Sequence, residues 1–173
     1  VECDFNRWHP EGTYDAVMAN QSLHHVVELE KLFDAIHQSL RAEGKLVISD
    51  TIGRNGHQRW PEAAELVREF WRELPKSYRY NLQLNRQEDE FMDWDCSAYG
   101  FEGIRAQDIL PLLVERFHFH AFLPFANVID PFIDRGFGRH FNPQQEWDRV
   151  FIDRVHACDE AAIMQGSIKP AHL

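Results

Sequence analysis

The sequence predicts an α/β fold built around a parallel sheet, and three observations lead to that class. A short apolar segment at residues 14–20 is typical of a buried strand, and a second follows at residues 45–49. Between them, apolar residues recur at helical spacing. The order strand, helix, strand with short connections is that of a right-handed crossover unit, which pairs its two strands in parallel.

The helix between the two strands is predicted from an apolar stripe, made of Leu29, Leu32, Phe33, Ile36 and Leu40. We expect Gly44 to end this helix, because glycine readily adopts the left-handed conformation of a helix terminus. A second helix is expected to begin at Pro61, whose missing N–H would be unpaired there anyway. Pro75 is expected to end it.

The remaining segments are assigned in the same way. We interpret residues 57–104 as a helical and loop excursion from the core of a single incomplete domain that covers residues 1–173. Apolar spacing after it predicts a helix around Ile109 and Leu113, with Pro111 in its first turns or kinking it. Three later elements are also predicted. They are a strand at 117–123 from its alternating pattern, a last helix at about 144–165, and the start of another strand at 169–173.

The composition narrows the class of partner. There are 18 basic and 28 acidic residues, a net charge of −10, and no basic cluster that would neutralise phosphates. Nucleic acid is therefore excluded in favour of a small-molecule substrate. No apolar run approaches the roughly 20 residues that span a bilayer, and no signal peptide opens the sequence, so we expect no membrane association. Three widely spaced cysteines (Cys3, Cys96 and Cys158) suit free thiols in the cytoplasm.

Two segments together resemble a known family. Residues 14–25 read Tyr-Asp-Ala-Val-Met-Ala-Asn-Gln-Ser-Leu-His-His, and residues 40–50 read Leu-Arg-Ala-Glu-Gly-Lys-Leu-Val-Ile-Ser-Asp. They resemble the fourth and fifth strands of class I S-adenosylmethionine-dependent methyltransferases, with the helix between them. The resemblance covers about residues 1–53 and implies a Rossmann-like fold with S-adenosylmethionine as the cofactor.

The resemblance also implies cofactor-binding residues. By position, Asp4 and the adjacent Phe5 match the end of the family's third strand, where an acidic side chain meets the adenine. Asn20, Gln21 and Ser22 match the loop after the fourth strand, which lines the methionine part of the cofactor. Ligands of such sheets bind at the carboxyl ends of the strands, and residues 20–25 leave such an end.

The sequence departs from the family pattern in one respect. The family's first strand ends in a glycine-rich loop, and an acidic residue follows its second strand; neither is found here. The fold is therefore expected to be a partial, truncated methyltransferase fold that lacks its amino-terminal strands. Without a first strand beside it, the strand at 14–20 would present an open edge, and such edges pair with other chains. We expect a partner or a homo-oligomer at this edge.

His24 and His25 are the candidate catalytic residues. Methyl transfer depends mostly on orientation, with a base where the acceptor is a hydroxyl or an amine, and imidazole titrates near neutral pH. The alternative is structural, with one of them capping the next helix or packing beneath the loop.

Two further groups of residues are weaker candidates. His118 and His120 would share one face of the predicted strand, but no third ligand is indicated, so the sequence predicts no metal site. A second group is polar and aromatic and could form either a substrate lid or an ordinary surface loop. Its members are Asp95, Cys96, Tyr99 and Glu102.

The sequence thus favours a domain whose complete parent transfers a methyl group to a small molecule, such as a sugar or another polar metabolite. A non-catalytic interaction module derived from a methyltransferase is the alternative. A nucleotide-binding oxidoreductase is disfavoured, because the sequence has no dinucleotide-binding fingerprint.

We expect the 173-residue chain by itself to bind S-adenosylmethionine weakly or not at all, because it lacks the glycine-rich loop that would approach the cofactor. Isothermal titration calorimetry with S-adenosylmethionine measures this directly. Binding in the low micromolar range would contradict the expectation.

Overall fold

A computed structural model describes residues 4–173, so the prediction for Cys3 lies outside the described residues. The chain divides into two compact units. The first extends to Gln58 and adds Trp94–Pro124 and Ala171–Leu173, whereas the second comprises Arg59–Asp93 and Phe125–Pro170. The excursion expected at 57–104 is shared between these units. That the two units form a single domain stays a prediction.

The regular elements follow one another in a mixed order. The strands are β1 (Tyr14–Asn20), β2 (Leu40–Ser49), β3 (Tyr80–Asn81) and β4 (Arg86–Gln87), and the α-helices are α1 (Leu29–Ser39), α2 (Pro61–Glu73), α3 (Ala106–Arg116), α4 (Asp130–Ile133) and α5 (Glu146–Met164). In the described residues, no helix combines the length and the apolar composition that crossing a membrane requires.

The predicted strand–helix–strand unit is present in the first unit. β1 and β2 pair in parallel, with Val17 beside Leu46 and Asn20 beside Ser49, and α1 connects them. The strands are not buried as expected, however, because only one face of the pair is covered. Met18 is 75% exposed, and its register partner Val47 is 47% exposed.

The prediction that Gly44 ends the first helix is wrong. α1 already ends at Ser39, and Gly44 lies within β2. The ladder is irregular there, since Tyr14 pairs with Leu40 and Ala16 pairs with Lys45. A Cβ atom at Gly44 would lie 3.0 Å from the carbonyl oxygen of Tyr14. A side chain here would crowd the backbone, so glycine suits the close approach of the two strands.

The apolar stripe of α1 forms the core of the first unit, as the sequence predicts. Its fully or nearly fully buried members are Leu29, Leu32, Phe33 and Ile36. They cluster with Ile109 and Leu113 of α3, and the ring of Phe33 packs edge-on against Phe117, with centroids 6.2 Å apart. The predicted helix around Ile109 is therefore confirmed, with Pro111 inside it.

The strand predicted at 117–123 is wrong. α3 ends at Arg116, and residues 117–124 have irregular structure. Phe119 and Leu123 are exposed, as are His118 and His120. The alternation of residue types therefore has no buried face to match, and a strand needs such a face for a defined register.

In the first unit, the last residues of the chain pair with the segment that follows β2. Thr51 and His172 form an antiparallel bridge. The backbone N–H of Asp50 donates to the carbonyl of Leu173 at 3.1 Å, and that of Leu173 donates back at the same distance. The start of a strand was expected at 169–173, and the structure shows a single β-bridge there, at His172, and not a strand. In the described residues, β1 pairs only with β2, and association through its other edge stays a prediction.

The second unit is mainly helical and aromatic. α2 begins at Pro61 and α5 spans Glu146–Met164, which confirms both predicted helices. The indole of Trp71 is 1% exposed, and its Nε1–H donates to the carbonyl of Glu88 at 3.2 Å. This bond satisfies the polar group that Trp71 takes into the core.

Replacing Phe33 by alanine should lower the free energy of unfolding by about 3–5 kcal/mol, because the ring is fully buried and would leave a cavity. Urea denaturation followed by circular dichroism measures the change. Gln38→Ala, at an exposed position of the same helix, is the control and should change the free energy by at most about 0.5 kcal/mol. Equal effects of the two substitutions would contradict the assigned core.

Candidate active site

The two parallel strands bring their carboxyl ends together at one edge of the sheet. β1 ends at Asn20 and β2 ends at Ser49, and the two residues are register partners. The backbone N–H of Gln21 donates to the carbonyl of Ser49 at 2.8 Å, while Gln21 itself turns the chain with a positive φ of 48°. The loop after β1 and the residue after β2 therefore face each other.

Asp50, the first residue after β2, is the centre of this arrangement. Its side chain is fully buried. The backbone N–H groups of Ser22 and Leu23 donate to Oδ2 at 2.7 and 2.8 Å, and that of Thr51 donates to Oδ1 at 2.8 Å. Nδ1 of His24 lies 2.5 Å from Oδ1. One carboxylate thus fixes the short 3₁₀ helix that carries His24.

The hydrogen bonds around Asp50 decide its ionisation. Burial acts most strongly and raises the pKa of Asp50, but the bonds from His24, Leu23 and Ser22 together outweigh it, so its pKa lies below the usual value. An ionised carboxylate only accepts hydrogen bonds, and Nδ1 of His24 must therefore carry a proton. In the neutral imidazole, Nε2 is then left with a lone pair.

Glu102 lies beside three histidines. Its Oε1 is 2.9 Å from Nε2 of His57 and 3.7 Å from Nε2 of His24. Its Oε2 is 3.4 Å from Nδ1 of His25. Desolvation, the largest single effect, raises the pKa of Glu102, but the bond from His57 and the nearby imidazoles bring it below the usual value. We name His24, His25, His57 and Glu102 the histidine cluster.

Two glycines bring Glu102 to this place. The N–H of Gly56 donates to the carbonyl of Gly103 at 2.9 Å, and both residues have a positive φ, of 66° and 65°. A Cβ atom on Gly56 would overlap the carboxylate of Asp95, and one on Gly103 would lie 3.0 Å from the backbone nitrogen of Gly56. Only glycine permits this approach without strain, and it sets His57 beside Glu102.

Arg105 holds the same segment against α1. Its guanidinium donates to both carboxylate oxygens of Glu30 at 2.7 Å and to the carbonyl of Val27 at 2.8 Å. The bond from Arg105 lowers the pKa of Glu30 to about 2, since it stabilises the ionised carboxylate. The N–H of Ile104 also donates to the carbonyl of His24 at 3.1 Å. Glu102 is thus attached through its neighbours to the loop after β1.

The residues predicted to meet the adenine lie at the start of the described chain. Asp4 precedes a 3₁₀ helix, Phe5–Arg7, and accepts from the backbone N–H of Asn6 at 3.0 Å. That backbone bond and the one from the Asn6 side chain lower the pKa of Asp4. Oδ1 of Asn6 in turn accepts from the N–H groups of Val27 and Glu28, both at 3.0 Å. The segment is therefore attached to the beginning of α1.

The residues predicted to meet the methionine part lie at the end of β1. Asn20 and Gln21 are exposed, and Nε2 of Gln21 donates to the carbonyl of Ser49 at 3.4 Å. The N–H of Ser22 is already used by Asp50. Asn20 and Gln21 therefore keep side chains toward solvent, whereas Ser22 mainly positions the loop.

Comparison with known protein families adds the deciding observation. The family described as methyltransferase domain matches residues 2–106, which is more than half of the chain. The chain belongs to this methyltransferase family. The match confirms the resemblance to class I S-adenosylmethionine-dependent methyltransferases. A comparison with curated proteins finds no match.

In this methyltransferase domain, the structure brings His24 and His25 together with residues that the sequence did not assign to the site. Asp50 was part of the recognised segment, but nothing in the sequence gave it a role; its position directly after β2 is the signal that could have found it. Glu102 was assigned to a lid or a surface loop. His57 was missed, since it lies 45 residues from Glu102 and meets it only through the two glycines.

Replacing Asp50 by asparagine should destabilise the methyltransferase domain by about 3 kcal/mol at pH 7, because an amide cannot accept from all four donors and leaves some of them unpaired. The folded pKa of Asp50 is lowered, so its contribution is complete above the ordinary aspartate pKa of about 3.9 and is lost as the pH falls through the folded value. The difference between the two proteins should therefore shrink below about pH 4.

Urea unfolding at pH 7 and at about pH 3 tests both parts of this prediction. Asp15→Asn is the matched control, because the Asp15 side chain is 83% exposed and pairs with Arg41 at the surface. It should change the free energy of unfolding by at most about 0.5 kcal/mol at pH 7. A deficit for Asp50→Asn that is as large at pH 3 as at pH 7 would contradict the assigned ionisation.

Proposed function

We propose that this domain, in its natural gene product, transfers a methyl group from S-adenosylmethionine to a small polar molecule, with His24 as the general base. The observation that carries the proposal is the buried pair of Asp50 and His24 at the carboxyl ends of β1 and β2, in a chain of the methyltransferase family. Ligands of doubly wound sheets bind at this edge.

The residues present fit the chemistry of the cofactor. Asp4 offers a carboxylate with a lowered pKa to an amino group, and the adjacent Phe5 ring is 50% exposed for stacking on a base. Asn20 and Gln21 add exposed amides that can bind an amino acid moiety. Bound S-adenosylmethionine would supply an electrophilic methyl group on a positively charged sulfur.

His24 takes the proton of the acceptor in this proposal. Asp50 holds the Nδ1–H of the imidazole, so that the lone pair of Nε2 is available to a hydroxyl or amine. When the imidazole gains the second proton, the ionised Asp50 stabilises the cation. Asp50 therefore acts as a positioning residue, and His24 is the catalytic residue.

Glu102 gives the site its preference for a proton donor. An unprotonated Nε2 of His24 and Oε1 of Glu102 are both acceptors and face each other at 3.7 Å. Such a pair is stabilised by a donor placed between them, and an acceptor molecule with a hydroxyl or amine supplies one. His25, which is about half exposed, adds a second imidazole at the open side of the cluster. A sugar or another polar metabolite fits this set of groups.

An interaction module is the second candidate, and one observation favours it. Met18 and Val47 are neighbours across the β1–β2 ladder, and both are largely exposed. Exposed apolar side chains on a sheet suit contact with another protein surface. A homo-oligomer through residues 14–20 would be one form of this contact.

His24→Gln in the natural gene product should lower kcat for methyl transfer by a factor of about 10²–10⁴, which is the usual contribution of a general base. The variant should bind S-adenosylmethionine as the wild type does. Formation of S-adenosylhomocysteine with a panel of sugars and other polar metabolites measures the reaction, and calorimetry measures cofactor binding. Glutamine keeps the size and polarity of histidine but has no titrating nitrogen.

His156→Gln is the matched control, because His156 lies on α5 with its side chain 58% exposed, and pairs with Glu160. It should leave kcat within about twofold. Wild-type activity in His24→Gln would show that this residue is not the base. Absence of transfer to every acceptor of the panel, with cofactor bound, would favour the interaction module.

A further inference from the structure

The histidine cluster has the donor set of a transition-metal site. Within the described residues, one ligand atom each from His24, His25 and Glu102 lie within 4.8 Å of one another. Two imidazole nitrogens and a carboxylate oxygen are ligands that Zn²⁺ binds, usually at about 2.0–2.2 Å with a water or a fourth ligand completing the shell. Mg²⁺ and Ca²⁺ prefer oxygen ligands.

The side chain that would orient His24 toward a metal ion, that of Asp50, is already in contact with it. Asp50 accepts the Nδ1–H of His24, which orients the ring and leaves Nε2 as the atom that can bind a metal. Metal-binding histidines usually donate their other N–H to a carboxylate or a carbonyl in this way. The carboxylate is buried and held by three backbone N–H groups, so the ring of His24 has a fixed direction.

The three proposed ligands already lie close to one another in the absence of a metal, because the backbone around each of them is held by hydrogen bonds. His24 and His25 are consecutive in a 3₁₀ helix, with ring centroids 4.0 Å apart. Glu102 is fixed beside them by the Gly56–Gly103 contact, and its side chain is 50% exposed, which gives an ion a path from solvent. The ring centroid of His57 lies 5.1 Å from that of His24, but His57 does not belong to the three residues whose ligand atoms converge.

We propose that the cluster binds one divalent transition-metal ion, such as Zn²⁺, through Nε2 of His24, Nδ1 of His25 and a carboxylate oxygen of Glu102, and that the bound ion inhibits methyl transfer. The facing acceptors Nε2 and Oε1, 3.7 Å apart, are neutralised by a cation between them as well as by a proton donor. Inhibition follows because the ion occupies the lone pair that the base needs.

The binding half of this inference stands on geometry alone, whereas the inhibitory half rests on the proposed function. The inference also differs from the prediction made from the sequence, which gave no metal site and considered only His118 and His120 as a possible pair of ligands. Those two histidines are exposed in an irregular segment. The proposed ligands come from two segments of the first unit, with His24 and His25 in one and Glu102 in the other.

The test uses the natural gene product after treatment with a chelator. Calorimetric titration with ZnCl₂ should show one ion per chain, and MgCl₂ should show no comparable binding. His25→Gln removes one ligand at a half-exposed position, where folding should not suffer, and should weaken zinc binding at least about tenfold, or about 1.4 kcal/mol. His156→Gln is the control, because His156 lies on α5 with its side chain 58% exposed and pairs with Glu160, and it should bind zinc like the wild type.

Nuclear magnetic resonance provides a second measurement, which identifies the nitrogen that binds the ion. In protein labelled with ¹⁵N at histidine, zinc should move the Nε2 resonance of His24, while Nδ1 keeps its bonded proton. Methyl transfer should fall in proportion to the occupied fraction and should return when the chelator is added. The residual activity of His25→Gln should need correspondingly more zinc for the same inhibition.

Each failure has a distinct meaning. A zinc dissociation constant of about 1 mM or weaker, or equal affinity in His25→Gln, would overturn the metal site while leaving methyl transfer unaffected. Full activity with the ion bound would overturn the inhibition. A protein that binds one zinc ion but transfers no methyl group under any condition would refute the proposed function and uphold the site.

Discussion

The local structure of the candidate site depends on one buried carboxylate. Asp50 follows β2, yet three of its four hydrogen bonds are to the loop after β1, from Ser22, Leu23 and His24. A buried charge is stable only when it is paired and its oxygens are hydrogen-bonded. The same requirement that keeps Asp50 ionised therefore fixes the conformation of the loop and the direction of the His24 ring.

Glu102 depends on a different constraint, which is steric. Its position follows from the backbone contact between Gly56 and Gly103, where a side chain on either residue would collide with its neighbours. Arg105 then holds the next residues against α1 through Glu30 and Val27. The site thus combines a hydrogen-bonded carboxylate, Asp50, with a segment that is positioned by close packing. Asp50 contacts Nδ1 of His24, and Glu102 lies near Nε2 on the other side of the ring.

The parts that the sequence predicts well are those that depend on local patterns. The stripe from Leu29 to Ile36 shows a helix, and the apolar segments on either side show its strands, because side-chain periodicity follows directly from the backbone geometry. Gly44 was misinterpreted, since a glycine after a helix also suits a close strand contact. The alternation at 117–123 failed because a strand needs a neighbouring surface, which a local pattern does not reveal.

The candidate site could be predicted to the same extent. The sequence proposed His24 and His25 because a recognisable strand and loop carry them, whereas His57 and Glu102 belong to segments that come together only in the folded chain. The sequence also could not show that Asp50 leaves a lone pair on Nε2 of His24, facing a second acceptor. A hydrogen-bond donor or a metal cation placed between these two atoms would satisfy both acceptors. Under the two proposals, an acceptor molecule and a transition metal therefore compete for the same nitrogen.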